Sequence, residues 1–418
     1  MTDTTHAGFS GLGLAPALLE VLAKLNFTTP TPIQAQAIPI AVEGKDLIGI
    51  AQTGTGKTLA FGLPLLQRIA QHKGLGLVLL PTRELAIQVD EALTKVGRSF
   101  GLRTAVLIGG ASMYMQTQAL RRKPHILIAT PGRLIDHIEQ KSVRLNEVTT
   151  LILDEADRML DMGFAPQIKK ILQQVPKARQ TMLFSATMPN EIVSIANSHM
   201  NLPLRIEVAQ AGSTADRVEQ EVIFVEKNGK PDLLKQILGE TKGSVLVFSR
   251  TKFGARRIAH GLMGIGFTAA DIHSDRTLAQ RRQALEGFKS GRYRILVATD
   301  IAARGIDVTG IELVINYDLP STAEDYVHRI GRTGRAGTSG RAISFATFDQ
   351  RNDIRDIERL IRMAIPAKRA DGRNVIEHAQ QRAQELAEAR KRPGKPFEAH
   401  SRFSAQRRSG RGRRSFRR

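Results

Sequence analysis

Apolar positions in the first half of the chain fall into short strand-like runs, DLIGIA, GLVLLP, TAVLIG, HILIAT, LILDEA and TMLFSA, each followed by a stretch that reads as a helix. Strands that alternate with helices predict a parallel sheet covered on both faces, with ligands bound beyond the carboxyl ends of the strands. Ahead of the first run, Leu14, Leu18, Leu19, Leu22 and Leu25 keep helical spacing, and Pro30 and Pro32 mark a turn. The pattern lapses into small and polar residues at AQAGSTAD, residues 209–216. It restarts with EVIFVE, SVLVFS, TAADIH, RILVAT, LVINYD and AISFAT, and ends in a helix-like stretch from Arg351 to Met363, with Pro366 closing the unit. The expected class is therefore α/β. A helical lead-in covers 1–37, one α/β domain 38–208, a linker 209–216, a second α/β domain of similar size 217–366, and an extension 367–418. A cleft between the two halves follows from the duplication.

Only the first half holds a phosphate loop. In DLIGIAQTGTGKT, from Asp46 to Thr58, an apolar run passes into Ala51, Gln52, Thr53, Gly54, Thr55 and Gly56 and closes on Lys57 and Thr58. Glycines let the backbone wrap an anion closely, and a helix starting near Lys57 aims its unpaired N–H groups and positive dipole end at that anion. Lys57 is placed to reach the outer phosphates and Thr58 to hold a magnesium ion. Further on, LILDEADRML sets Asp154 and Glu155 just past another strand. Asp154 suits the carboxylate that holds magnesium, largely through water, and Glu155 the one that orients or deprotonates the attacking water. A charged helix N-terminus is the plainer alternative for the pair. In the second half, YVHRIGRTGRAG presents Arg329, Arg332 and Arg335 among glycines. Arg332 and Arg335 are candidate arginine fingers inserted from the opposite domain, the alternative being a basic nucleic-acid loop or a solvated charge cluster.

Composition sharpens this. Lys and Arg number 61 against 40 acids, a net charge of +21, so a polyanion is the natural partner, nucleic acid ahead of an anionic membrane. From Arg390 to Arg418 there are twelve Lys/Arg and one acid, Glu398, so this tail alone carries +11. With only Phe397, Phe403 and Phe416 as large apolar residues, it is expected to be disordered. A charged, helix-prone segment, roughly Asn374 to Lys391, leads into it. No run approaches the length of a membrane span and the N-terminus lacks a signal-peptide pattern, so no membrane association and a cytoplasmic location are expected. There is no cysteine, which excludes disulfides and cysteine-ligated zinc, and the ten histidines form no paired ligand spacing. Any metal is expected to arrive with a nucleotide.

Taken together, these motifs resemble the DEAD-box RNA helicases, close to the bacterial RhlE-like subgroup with short basic tails, over roughly Phe9 to Ile365. Asp154, Glu155, Ala156 and Asp157 match the name-giving tetrapeptide and AQTGTGKT the nucleotide loop. Pro81, Thr82, Arg83 and Glu84, then Gly109 and Gly110, then Thr130, Pro131, Gly132 and Arg133 match the RNA-contact motifs of the first domain. Ser185, Ala186 and Thr187 match the motif that couples hydrolysis to unwinding. VFSRTK around Arg250, ATDIAARGID from Ala298 to Asp307 and HRIGRTGR from His328 to Arg335 match those of the second domain. The resemblance implies two tandem RecA-like domains with ATP and magnesium in the cleft, where Asp307 joins Arg332 and Arg335 on the far wall. It implies RNA contacts at Pro81, Thr82, Arg83, Gly110, Thr130, Gly132, Arg133, Arg250 and Thr299, and coupling roles for Ser185, Thr187 and His328. It further implies that Phe27 stacks on adenine and Gln34 bonds its edge, which is sensible because a glutamine amide pairs with adenine's N6 and N7 but not with guanine. Phe9 matches the family's isolated upstream aromatic. The chain departs from the family pattern at Asn26, where glycine is usual, at Ser274, which follows His273 in place of glycine, and at Leu278, which replaces a common glutamine three residues before Arg281.

The expected activity is ATP-dependent, largely sequence-independent binding and local unwinding of RNA, duplex or single-stranded, or remodelling of RNA–protein complexes such as ribosomal or RNA-decay assemblies. Two rivals stand beside it. One is a DNA translocase of the same superfamily, which the DEAD tetrapeptide and the adenine motif argue against. The other is a non-enzymatic RNA chaperone working through its tail, which intact Lys57, Glu155, Arg332 and Arg335 argue against.

Overall fold

The computed structural model describes residues 8–52, 54–72, 74–208, 218–303, 308, 310–334 and 340–370. Thr53, Asp307, Arg335, the linker, the charged segment after Asn374 and the basic tail lie outside the described residues.

The first half forms one seven-stranded parallel sheet from β1 (Leu47–Ile50), β2 (Leu75–Leu79), β3 (Thr104–Leu107), β4 (Ile126–Ala129), β5 (Val148–Leu153), β6 (Gln180–Ser185) and β7 (Leu204–Glu207), in the order β3-β4-β2-β5-β6-β1-β7. The second half repeats it with β8 (Val218–Phe224), β9 (Val245–Phe248), β10 (Ala269–Ile272), β11 (Ile295–Ala298), β12 (Leu313–Asn316), β13 (Gly340–Ala346) and β14 (Ala367–Arg369), in the order β10-β11-β9-β12-β13-β8-β14. The central strands are buried along their whole length because helices cover both faces, which is why they read as unbroken apolar runs. Each sheet therefore separates two apolar layers, and the described residues form four apolar clusters, two per half.

The two halves thus have the tandem RecA-like architecture. In the first sheet β1 lies between β6 and β7, with Leu47 opposite Met182 and Leu204. Gly49 is needed there: a Cβ would lie 2.6 Å from the Phe184 ring, which packs 5.6 Å from Phe61 in the layer below.

The lead-in is part of the first domain. Phe9, Leu12, Leu18 and Leu22 are buried in the same cluster as Phe61 and Phe184, and Gln67 ties it down by accepting from Ala15 N at 2.7 Å and donating to Gly13 O at 3.1 Å. Asn26 adopts φ +60°, a left-handed conformation that asparagine tolerates better than most residues, so glycine is dispensable at that position.

Two edge strands went unrecognised in the sequence. β7 (LRIE) buries only Ile206, and β14 (AKR) has a single apolar residue, so neither carries the signal of a central strand. Edges are kept short and charged because unpaired backbone there invites aggregation. Pro366 therefore does not close the second sheet: its carbonyl accepts from Val222 N at 2.8 Å, and the sheet continues to Arg369. The preceding helix, Arg351–Ile361, stops where Arg362 turns left-handed at φ +55°, two residues before the expected Met363.

Candidate functional site

The phosphate loop leaves β1 at Ile50, and Ala51 N donates to Ser185 O at the end of the neighbouring β6. Thr55 Oγ1 closes the loop onto Gln52 O at 2.7 Å. Gly56 then caps the helix Lys57–Gln71 at φ +92°, and a Cβ on it would lie 2.5 Å from Gln34 Nε2 and 2.9 Å from Thr31 Oγ1. Glycine is thus required both by conformation and by a neighbour. Gln34, 4% exposed, accepts from Thr31 N at 2.9 Å and donates to Gly56 O at 3.0 Å. The amide therefore already pins the phosphate loop to the lead-in, and it keeps one further N–H and lone pair. Phe27 is 39% exposed.

Lys57 is buried at the loop's centre, its Nζ donating to Ala51 O at 3.0 Å and standing 4.0 Å from Asp154 Oδ1. Thr58 follows it, half-buried. Asp154 and Glu155 come off the carboxyl end of β5, and both are buried. Burial raises the Asp154 carboxyl to about 6, with the Glu155 and Asp157 charges adding to it and Lys57 opposing. A buried carboxylate held this far from its preferred charge state is suited to a cation, and Thr58 across the loop adds a hard oxygen. Glu155 sits at φ +52°, a strained conformation for a non-glycine residue of the kind found where side chains must be aimed.

Asp157 joins this site to the Ser185–Thr187 segment. Its Oδ2 accepts from Ala186 N, Thr187 N and Thr187 Oγ1 at 2.9–3.0 Å, and its own N–H donates to Ser185 Oγ. Burial pushes the Asp157 carboxyl up, but the Lys57 charge and these hydrogen bonds together bring it below its ordinary value. Ser185 thus touches the phosphate loop through its carbonyl and the acidic tetrapeptide through its hydroxyl.

The two domains meet at Arg158, which the sequence shows only as one more charge on a helix. Its Nη1 pairs with Glu155 Oε2 at 3.2 Å, and its Nη2 donates to His328 Nδ1 of the second domain at 3.0 Å. Arg332, 3% exposed, lies beyond, donating from Nε to His328 O at 3.3 Å. Arg158, His328, Arg329 and Arg332 line one small cavity with Asp300 and Asp325. Arg329 is fixed by Asp300 and by the carbonyl of Asp318. Burial, and next the Arg158 charge, depress His328 from 6.5 to about 4, so it is a neutral acceptor at working pH. A depressed histidine makes the folded state bind fewer protons than the unfolded one between those values. Its contribution to stability is therefore full above pH 6.5 and is lost as pH falls through about 4. Denaturant unfolding of the parent and of His328→Gln over that range checks this. The parent is expected to lose stability relative to the variant on acidification, whereas parallel curves contradict it.

A second, larger cleft of about 300 Å³ lies apart from these groups and gathers Pro81, Thr82, Arg83, Thr130, Gly132 and Arg133 with Ser274 and Arg281 of the second domain. Thr82 caps its helix by accepting from Leu85 N, and Arg133 Nη1 is anchored on Ala111 O at 3.0 Å. Gly110 serves the same surface indirectly: a Cβ there would lie 2.3 Å from Arg83 Nη1. Arg250 and Thr299 are not part of this lining. Arg250 follows β9, exposed, with its N–H on Asp318 Oδ2 and Nη2 on Leu319 O, while Thr299 follows β11. Arg281 also reaches across the cleft to Glu84 at 2.9 Å, both groups buried, and Leu278 packs against the apolar cluster of the first domain. Leucine in place of the usual glutamine thus adds an apolar interdomain contact.

The chain matches two family models, DEAD/DEAH box helicase over residues 31–195 and helicase conserved C-terminal domain over residues 229–337. It is 45% identical over 374 residues to the ATP-dependent rRNA helicase RRP3 of Debaryomyces hansenii, covering 88% of this chain and 78% of that protein. It is 46% identical over 354 residues to the DEAD-box ATP-dependent RNA helicase CshA of Bacillus cereus, covering 84% and 67%. The fold is similar to that of Saccharomyces cerevisiae Dbp5 bound to RNA and ADP BeF3, with a TM-score of 0.78 at 28% identity over 91% of this chain and 99% of that one.

Proposed function

This chain belongs to the DEAD-box family of ATP-dependent RNA helicases, and from that premise we infer which of its residues bind, cleave and couple. ATP lies against the phosphate loop, with Ala51, Gln52, Thr53, Gly54, Thr55 and Gly56 cradling the phosphates through backbone N–H groups and Lys57 leaving Ala51 O to meet the outer ones. Thr58 and Asp154 would hold magnesium, largely through water, and the ion would neutralise charge on the phosphate oxygens. Glu155 takes the proton of the attacking water, and Arg332 faces the terminal phosphate from the second domain; Arg335 is assigned the same role and Asp307 a nucleotide contact, both from the sequence motifs alone. The continuous contact from Glu155 through Arg158 to His328 and Arg332 supports this reading best, because it puts the water-activating carboxylate and the arginine segment in one network. Ser185 and Thr187 transmit the state of that network, since Asp157 binds both. RNA lies in the separate cleft of Pro81, Thr82, Arg83, Thr130, Gly132 and Arg133, with Gly110, Arg250 and Thr299 extending it, held by phosphates and 2′-hydroxyls.

Phe27 and the spare hydrogen-bonding capacity of Gln34 read adenine. ATP is therefore expected to be preferred over GTP, because guanine mispairs the amide at a cost of about 1 to 3 kcal/mol, on the order of tenfold or more in kcat/KM. Steady-state phosphate release with each nucleotide at low concentration tests this, and equal rates remove Gln34 from base recognition. Stimulation by RNA but not by DNA of the same sequence distinguishes the helicase reading from a DNA translocase.

The basic tail from Arg390 tethers RNA. Each phosphate neutralised contributes about 0.7 to the slope of log affinity against log salt for a single strand. Deleting residues 390–418 is expected to weaken RNA binding at low salt and flatten that slope by several units, with ATPase at saturating RNA retained. Identical slopes for full-length and truncated protein contradict the tether. The arginine-rich composition of the segment after Arg390 accords with the proposed RhlE-like subgroup, and the name of the D. hansenii relative supports a ribosomal rather than an RNA-decay assembly. A cytoplasmic location accords with an RNA substrate; among the described residues no helix is long and apolar enough to cross a membrane.

A further inference from the structure

We propose that Phe253 is a stacking platform for an unpaired RNA base, where the strand leaves the interdomain cleft along the second domain. The proposal rests on the RNA-binding reading and adds to it a contact with a base rather than with the sugar–phosphate backbone. Phe253 stands in the first turn of the helix Lys252–Gly264 and is 68% exposed. That helix buries Ala255, Ile258, Ala259 and Leu262 on its other side, so the ring has no part in the core.

Its neighbours are cations. Lys252 Nζ lies 5.2 Å from the ring centroid, Arg256 and Arg257 are exposed one turn on, and exposed Arg250 precedes the helix. A protein-docking face would group apolar residues, but the next exposed large apolar side chain on this helix is Met263, which at about 1.5 Å rise per residue lies some 15 Å along the axis. An exposed aromatic face with Lys252 beside it and Arg256 and Arg257 one turn on is the combination that holds single-stranded nucleic acid, with stacking from the ring and neutralisation from the cations.

Position agrees with chemistry. Lys252 Nζ pairs with Asp275 Oδ1 at 2.9 Å, and Asp275 directly follows Ser274, which lines the RNA cleft together with Arg83 and Arg281. The ring therefore stands at the rim of the cleft on the second domain, where a strand held by its phosphates inside presents its next base to solvent. Stacking of this kind tolerates every base, so it strengthens binding without giving the protein a sequence preference.

The test uses the full-length protein, a short fluorescein-labelled oligouridine and a non-hydrolysable ATP analogue. Phe253→Ala is expected to weaken binding about fivefold or more, the loss that accompanies removal of one stacked base, with the salt slope unchanged because no phosphate contact is removed. Phe253→Tyr is expected to bind like the parent and Phe253→Leu like the alanine variant, and a photoreactive iodouridine in the same RNA is expected to crosslink to Phe253. Leucine binding as well as the parent would make the residue a plain apolar surface and overturn the proposal. Equal binding by parent and Phe253→Ala, without a crosslink, overturns it too. A parent that does not bind the RNA at all would instead overturn the RNA-binding reading itself.

Discussion

Glu155→Gln is expected to retain ATP and RNA while losing turnover by about a hundred- to ten-thousandfold, the range supplied by a positioned general base. The amide keeps the shape of the side chain and can still accept from Arg158 Nη1, which lies 3.2 Å from the carboxylate, so the contact to the second domain survives in neutral form. What is lost is the group proposed to take the proton from water. The variant should accumulate in the ATP- and RNA-bound state, visible as tight RNA binding with ATP that does not decay with time. Hydrolysis near the parental rate at saturating RNA would remove Glu155 from that role.

Arg332→Ala is expected to lower RNA-stimulated turnover about a thousandfold or more, as arginine fingers do. Arg332 is buried at the domain boundary, and its Nε bonds the carbonyl of His328, whose ring accepts from Arg158. The variant therefore also tests whether that segment acts on the nucleotide or on RNA. A loss of kcat at saturating RNA with the RNA affinity kept supports the nucleotide role. A loss confined to RNA affinity reassigns Arg332 to the RNA surface. Thermal unfolding should show the second domain intact, since Arg329 carries an ion pair with Asp300 and a bond to Asp318 O that brace this segment.

The parts of this architecture that are local in sequence were legible there. Fully buried strands read as apolar runs, and the phosphate loop announced itself because its glycines, lysine and threonine act within one turn of each other; the helix starts at Lys57 as the loop requires. The place of Asp154 and Glu155 just past β5 was legible for the same reason. Edge strands were not legible, because β7 and β14 are short and charged and lack the apolar signal of their neighbours. Nor were the cross-domain contacts. Arg158 with His328, Arg281 with Glu84 and Leu278 against the first domain's core join residues far apart in the chain, and no spacing rule pairs them. Gln34 shows a subtler gap: the motif identifies it with adenine, yet its amide also braces Gly56, a structural duty that only the packed loop reveals.

In the proposed cycle ATP and RNA together hold the carboxyl ends of the two sheets against each other. Because the chain has no cysteine, one introduced on the outer surface of each domain can be labelled specifically, and energy transfer between the two dyes then reports the gap. High transfer is expected with ATP and RNA present together, low transfer with either alone, and a return to low transfer as ATP is hydrolysed, with Glu155→Gln remaining high. Transfer that is the same with and without the two ligands would contradict it.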